Sequence, residues 1–129
     1  MGGRAAIYAA DHPSVAAVVA LAPWIETGDP TSTVAGRRVL VVHGDQDRMT
    51  DPRTSASWAR AVAPIAGSVS YVAVTGERHA MLRRAKVWTE LTTGYVLGVL
   101  CDATQIGTGD DEITNVLEMA LAGQAALVV

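Results

Sequence analysis

Two hydrophobic runs in this 129-residue chain end in groups that can do acid–base work. The first, Val39 to Val42, leads into His43-Gly44-Asp45-Gln46-Asp47; the second, Ser68 to Val74, leads into Thr75-Gly76-Glu77-Arg78-His79. In open α/β sheets ligands bind beyond the carboxyl ends of the strands, so side chains just after these runs project into one crevice. Asp47 and His79 hold those positions. An imidazole titrates near neutrality, and a carboxylate on its Nδ1–H fixes the tautomer and stabilises the imidazolium. Such a pair serves a nucleophile, and neither segment supplies one.

The elements that must position the pair are legible from spacing. Gly2 to Ala10 reads as a short helix, ended by Asp11-His12-Pro13 because the residue before proline disfavours the helical region. Val15 to Leu21 and Val39 to Val42 are continuous valine-rich runs of strand length, as in strands buried on both faces. Between them, Pro23 to Arg38 carries Gly28, Pro30 and Gly36 and reads as an irregular connection or short cap. Asp51-Pro52 supplies an N-cap and a first-turn proline for a helix over Arg53 to Ile65, with Trp58, Ala59 and Val62 at helical spacing. Ser68 to Val74 is a third strand. Met81, Ala85, Trp88, Leu91 and Tyr95 then mark a long amphipathic helix running to about Leu100.

Beyond a Gly107-Thr108-Gly109 linker, Ile113, Val116, Leu117, Ala120 and Leu121 form one face of a last helix. Its N-terminal Asp110, Asp111 and Glu112 suit the helix dipole. Buried strands alternating with helices predict the α/β class, a parallel sheet with flanking helices. Residues 1–100 form the domain, and residues 101–129 a C-terminal extension with one amphipathic helix.

Half the residues are hydrophobic and mean hydropathy is +0.25, which excludes intrinsic disorder, while no apolar run approaches the ~20 residues that span a bilayer. A net charge of −3 from interspersed acids and arginines lacks the footprint of a nucleic-acid binder or polybasic membrane anchor. Neither nucleic acid nor membrane is an expected partner. The lone Cys101 builds no disulfide framework, and Met1 to Ala6 lacks a secretory leader, so the expected location is the cytoplasm. Nine of the ten basic residues are arginine, with Ala, Val and Gly abundant, a usage that points to a GC-rich bacterial genome.

At His43-Gly44-Asp45-Gln46-Asp47, and at Gly76-Glu77-Arg78-His79 followed by Ala80-Met81-Leu82, the sequence resembles the α/β-hydrolase family of serine esterase and dienelactone-hydrolase type. That family carries its triad acid in H-G-x-x-D after a late strand and its base in G-x-x-H after the last one. The opening Met1-Gly2-Gly3-Arg4-Ala5-Ala6, continuing to His12-Pro13, is similar to the segment that comes after the serine of the G-x-S-x-G nucleophile elbow. The resemblance covers about residues 1–100. It implies the C-terminal part of an α/β-hydrolase fold, with Asp47 as acid and His79 as base. The implied reaction is ester or related acyl hydrolysis of a small-molecule substrate, with no cofactor. The chain then opens one residue after the nucleophile, as a mis-assigned start or a gene fragment. Met1 matches the residue whose backbone N–H helps form the oxyanion hole, and is a remnant of it. A chain without its serine is expected to be near-inactive. Its first strand lacks a partner and offers an apolar edge for self-association, which residues 110 to 123 are expected to cover or to use in dimerisation.

Other readings compete. Asp45-Gln46-Asp47 after a strand is similar to the D-x-D-x-[TV] of aspartate-nucleophile phosphatases of the haloacid dehalogenase type, but the match fails at Met49 and leaves His79 unused. A non-catalytic α/β module, binding a partner through its open edge with Asp47 and His79 as relics, is the rival from a different class. Asp45 and Asp51 read as solvated or helix-capping, His43 as a structural residue at a strand end and His12 as an exposed turn residue. No third ligand at metal-like spacing joins them, so no metal is expected. Trp24, Trp58 and Trp88 read as core or cleft-wall residues and Cys101 as structural. Substrate selectivity is expected to reside in the loop from Trp24 to Arg38.

Overall fold

The computed structural model describes residues 1–129. In chain order the elements are α1 (Gly2–Ala9), β1 (Ala17–Leu21), a 3-10 turn (Ser32–Val34), β2 (Arg38–Gly44), α2 (Pro52–Val62), β3 (Ser68–Val74), α3 (Ala85–Leu100), α4 (Asp111–Leu121) and β4 (Ala126–Val128). The four strands form one parallel sheet in the order β1-β2-β3-β4, flanked by helices on both faces, an α/β fold. No helix is long and apolar enough to cross a membrane.

Alternate strand residues feed two cores. Leu40, Val42, Val72 and Val74 pack against Trp88, Leu91, Tyr95, Ile113 and Leu117 of α3 and α4. On the other face Val18, Ala20, Val39, Val41 and Val69 meet Ile7 of α1 and Trp58 and Val62 of α2. β2 is buried from Val39 to Gly44 because helices cover both its faces, which is why its sequence does not alternate. Burying each such valine or leucine fully contributes about 1.5–3 kcal/mol.

The strand and helix types agree with the sequence, with differences at their ends. β3 spans the expected residues, β1 starts two residues later, and β2 runs on through His43 and Gly44. Asp51 caps α2, its side chain accepting from Arg53 N. Met81, expected in α3, lies before it at φ 57. Apolar spacing does not distinguish a loop residue that faces the core from a helical one.

β4 has no counterpart in the sequence reading, since Ala126-Leu127-Val128 is too short for periodicity to mark. It pairs with β3 through Tyr71↔Ala126, Val72↔Leu127 and Ala73↔Val128, and it buries Leu127 and Val129. The extension is thus woven into the sheet and the core. The crossover through α2 and the one through α3 and α4 step in the same direction across the sheet but lie on opposite faces, so they have opposite hands. One of them departs from the right-handed rule for parallel strands. α4 packs on α3, β3 and β4 and leaves uncovered by a strand the outer edge of β1, whose other edge pairs with β2. Gly94 and Gly98 of α3 leave room for Leu117 and Leu121 in that packing.

Candidate active site

The carboxyl ends of β2 and β3 lie side by side, with Gly44 in register with Val74. The loops leaving them are stitched together: Asp45 N donates to Val74 O, Gln46 N to Glu77 O at 3.0 Å, and Gly76 N to Asp45 Oδ1 at 2.8 Å. Only a glycine fits at 44, because a Cβ there would stand 2.5 Å from Glu77 O and 2.7 Å from its carbonyl carbon. The backbones therefore approach closely enough to bring Asp47 and His79 together. Asp45 ties one loop to the other and is not simply solvated.

Asp47 Oδ2 accepts from His79 Nδ1 at 2.8 Å, from Thr50 Oγ1 at 2.8 Å and from His43 Nε2 at 3.0 Å. Its Oδ1 accepts the N–H groups of Met49 and Thr50 at 2.7 and 3.1 Å, an Asx-type turn that fixes the carboxylate plane. The carboxylate is fully buried and the His79 side chain is 38 % exposed. Burial alone would raise the Asp47 carboxyl, but the hydrogen bonds from His79, Thr50 and Met49 outweigh it and hold the group well below the usual carboxylate range. Asp47 is therefore ionised at neutral pH and accepts from every partner.

That ionisation assigns the ring protons. A carboxylate cannot donate, so His43 Nε2 and His79 Nδ1 both carry hydrogen. Burial pushes the His43 imidazolium down in pKa and the pull of Asp47 only partly offsets this, so His43 is held toward its neutral form. Its Nδ1 is then a lone pair, and it accepts the Ser55 hydroxyl at 2.9 Å; Ser55 Oγ also lies 3.3 Å from Pro23 O. A chain of polar contacts thus runs from the end of β1 through α2 and β2 to the loop after β3. His43 is the second imidazole on the Asp47 carboxylate, a larger part than its sequence position suggests.

His79 Nε2 has no hydrogen-bonded protein partner. The residue lines an open cleft of about 340 Å³ with Met1, Gly2, Gly3, Val19, Leu21, Ala22 and Met81. Met1 and His79 are brought to one cleft from opposite parts of the sequence. Gly3 allows this, since a Cβ on it would lie 3.1 Å from both Leu21 O and Pro23 Cβ. Ala22 and Met81, two of the three non-glycine residues at positive φ, line the same cleft at φ 40 and 57. Backbone held in that region costs on the order of 1–3 kcal/mol per residue and concentrates at functional sites. Thr50 Oγ1 is 3.3 Å from His79 Nδ1, on the Asp47 side of the ring, so its hydroxyl is a structural partner and not a group that Nε2 can activate.

Thr50, Ser55 and Glu77 join the site without standing out in the sequence. The spacing of Asp47 and Thr50 is that of an Asx turn and could have flagged Thr50; nothing local marks the other two. His12 and Asp51 lie outside the cluster: His12 Nδ1 accepts from Ser14 N, and Asp51 caps α2. Trp58 and Trp88 are core residues, whereas Trp24 and Cys101 are exposed.

No protein-family model, curated protein or solved structure matches this chain in comparison with known proteins.

Proposed function

We propose that this chain is the acid–base part of a serine hydrolase of the α/β-hydrolase type, acting on esters or related acyl bonds. The observation that carries the reading is the 2.8 Å contact between His79 Nδ1 and the ionised Asp47, which leaves Nε2 without a hydrogen-bonded partner on a residue that lines one cleft with Met1, Gly2 and Gly3 and a second with Gln46, Arg48 and Met49. In the complete enzyme a serine immediately before Met1 would stand at the start of α1. Its Oγ would attack the substrate carbonyl carbon while His79 Nε2 takes its proton, and the imidazolium would then protonate the leaving group. Asp47 would hold the ring and stabilise its charged form. The N–H of residue 1, at the positive end of α1, is the donor this reading assigns to the tetrahedral oxyanion. No cofactor enters the scheme.

The test is to read the frame upstream of the Met1 codon, express the product with any Gly-x-Ser found there, and treat it with p-nitrophenyl esters and a fluorophosphonate probe. The reading expects covalent labelling of the added serine, lost in His79→Ala, and turnover about a million-fold above that of residues 1–129 alone. An upstream frame without the serine, or a full product that neither turns over nor labels, overturns it.

The unpaired outer edge of β1 supports a second reading, association through that edge. Val96, Leu97 and Leu100 of α3 are also exposed. Sedimentation over a hundredfold range of concentration separates the two: a monomer throughout removes the second.

A further inference from the structure

Glu77 is buried to 1 % exposure, and no cation pairs with it. Its Oε1 accepts Arg78 N at 2.8 Å, while Oε2 accepts Arg84 N at 2.7 Å and Trp88 Nε1 at 3.3 Å. These donors bracket His79: Arg78 precedes it, Arg84 is the N-cap of α3, and Trp88 lies one turn into that helix. The main chain of the same residue faces the other loop, its carbonyl accepting Gln46 N at 3.0 Å. Glu77 is thus bonded through its backbone to the loop that carries Asp47 and through its carboxylate to the loop that carries His79. A buried anion satisfied only by N–H groups is costly to leave without them, so the 78–84 loop is held closed around it. Burial would raise this carboxyl, but the same N–H donors outweigh it and keep it below its ordinary range, so the acceptor persists at neutral pH.

We infer that Glu77 is a positioning residue: by clamping the 78–84 loop at both ends while its carbonyl holds the Asp47 loop, it sets the contact between Asp47 and His79. The inference rests on the reading of His79 as a base for its functional meaning, but its geometry does not depend on turnover. Glutamine at this position keeps the shape and replaces one acceptor with an NH₂ that faces a backbone donor. The loop must then shift at one end, and His79 with it.

The experiment is ¹⁵N-resolved NMR of the histidine rings in residues 1–129 and in Glu77→Gln. Two ring protons rest on the same Asp47 oxygen, His43 Nε2–H and His79 Nδ1–H, and only His79 lies in the clamped loop. The expected result is that His79 in the variant loses its fixed Nδ1–H tautomer and exchanges that proton at least tenfold faster, while His43 keeps its own. Equal loss at both rings would mean a general loosening of the fold, and no change at His79 would mean that the clamp is irrelevant; either overturns the inference. Should Glu77→Gln not fold, Trp88→Phe removes one donor alone and is expected to act on His79 in the same direction, more weakly. No substrate enters the measurement, so a failed esterase assay leaves its outcome standing and bears on the hydrolase reading alone.

Discussion

His43 and His79 donate to one and the same oxygen, Asp47 Oδ2, at 3.0 and 2.8 Å, from opposite sides of the burial boundary. His43 is fully enclosed, whereas His79 opens to the cleft. The enclosed ring fixes the carboxylate and the open one is left with a free nitrogen. One anion therefore holds both a buried imidazole and an open one.

Substitutions at Asp47 should separate those two roles. If the proposed serine precedes Met1, Asp47→Asn in that enzyme should lower kcat about 10⁴-fold, because an amide permits the wrong tautomer of His79. Asp47→Ala should in addition destabilise residues 1–129 by about 3 kcal/mol or more, since the buried His43 Nε2–H and the Thr50 N–H lose their acceptor. Ester turnover and urea unfolding read the two effects separately.

Acid should weaken the fold in two stages. The folded-state pKa of His43 lies below its ordinary 6.5, and those of Asp47 and Glu77 lie below their ordinary 3.8 and 4.5. In each case the unfolded chain binds protons more readily, so the stabilisation is present above the unfolded pKa and is lost as pH falls toward the folded one. Stability should be level above about pH 7.5, decline below about 6.5 as His43 is drawn to protonate, and fall more steeply below about 4.5. The slope contributed by each group cannot exceed about 1.4 kcal/mol per pH unit. Thermal melts from pH 8 to pH 4 check this, and an unchanged Tm between pH 8 and pH 5 would contradict the assignment of a neutral, buried His43.

Gly44→Ala tests whether the close approach of the two loops matters. The added methyl meets the backbone of Glu77 and Arg78, which cannot rotate away as a side chain can. A loss of about 1–3 kcal/mol is expected, typical of overpacking, together with faster exchange of the His79 Nδ1–H. A stable variant with that proton intact would show that the loops are looser than the contacts imply.

The C-terminal strand offers a test of the fold itself. Leu127→Ala removes a side chain buried in the core that the sheet shares with α3 and α4, and should cost about 2–5 kcal/mol. Val128→Ala, at an exposed position of the same strand, should change stability by less than about 0.5 kcal/mol. Equal small effects from both would mean that β4 does not form in solution.

Residue order alone settles the element types around the site. Valine-rich runs, the Asp51-Pro52 start signal and the apolar spacing of α2, α3 and α4 are local properties, and local properties are read directly along the chain. Residue order also places Asp47 and His79 just beyond the carboxyl ends of two strands, where a parallel sheet opens to ligands, while the pairing of those strands is seen in the folded sheet. Four features belong to the folded chain: the pairing of β4 with β3, the left-handed backbone at Met81, the insertion of His43 and Ser55 behind Asp47, and the Glu77 clamp. Each depends on which backbone groups meet across distant segments. A three-residue strand has too few side chains to show a period, and a buried carboxylate reads in sequence like any solvated one until its N–H partners have been folded around it.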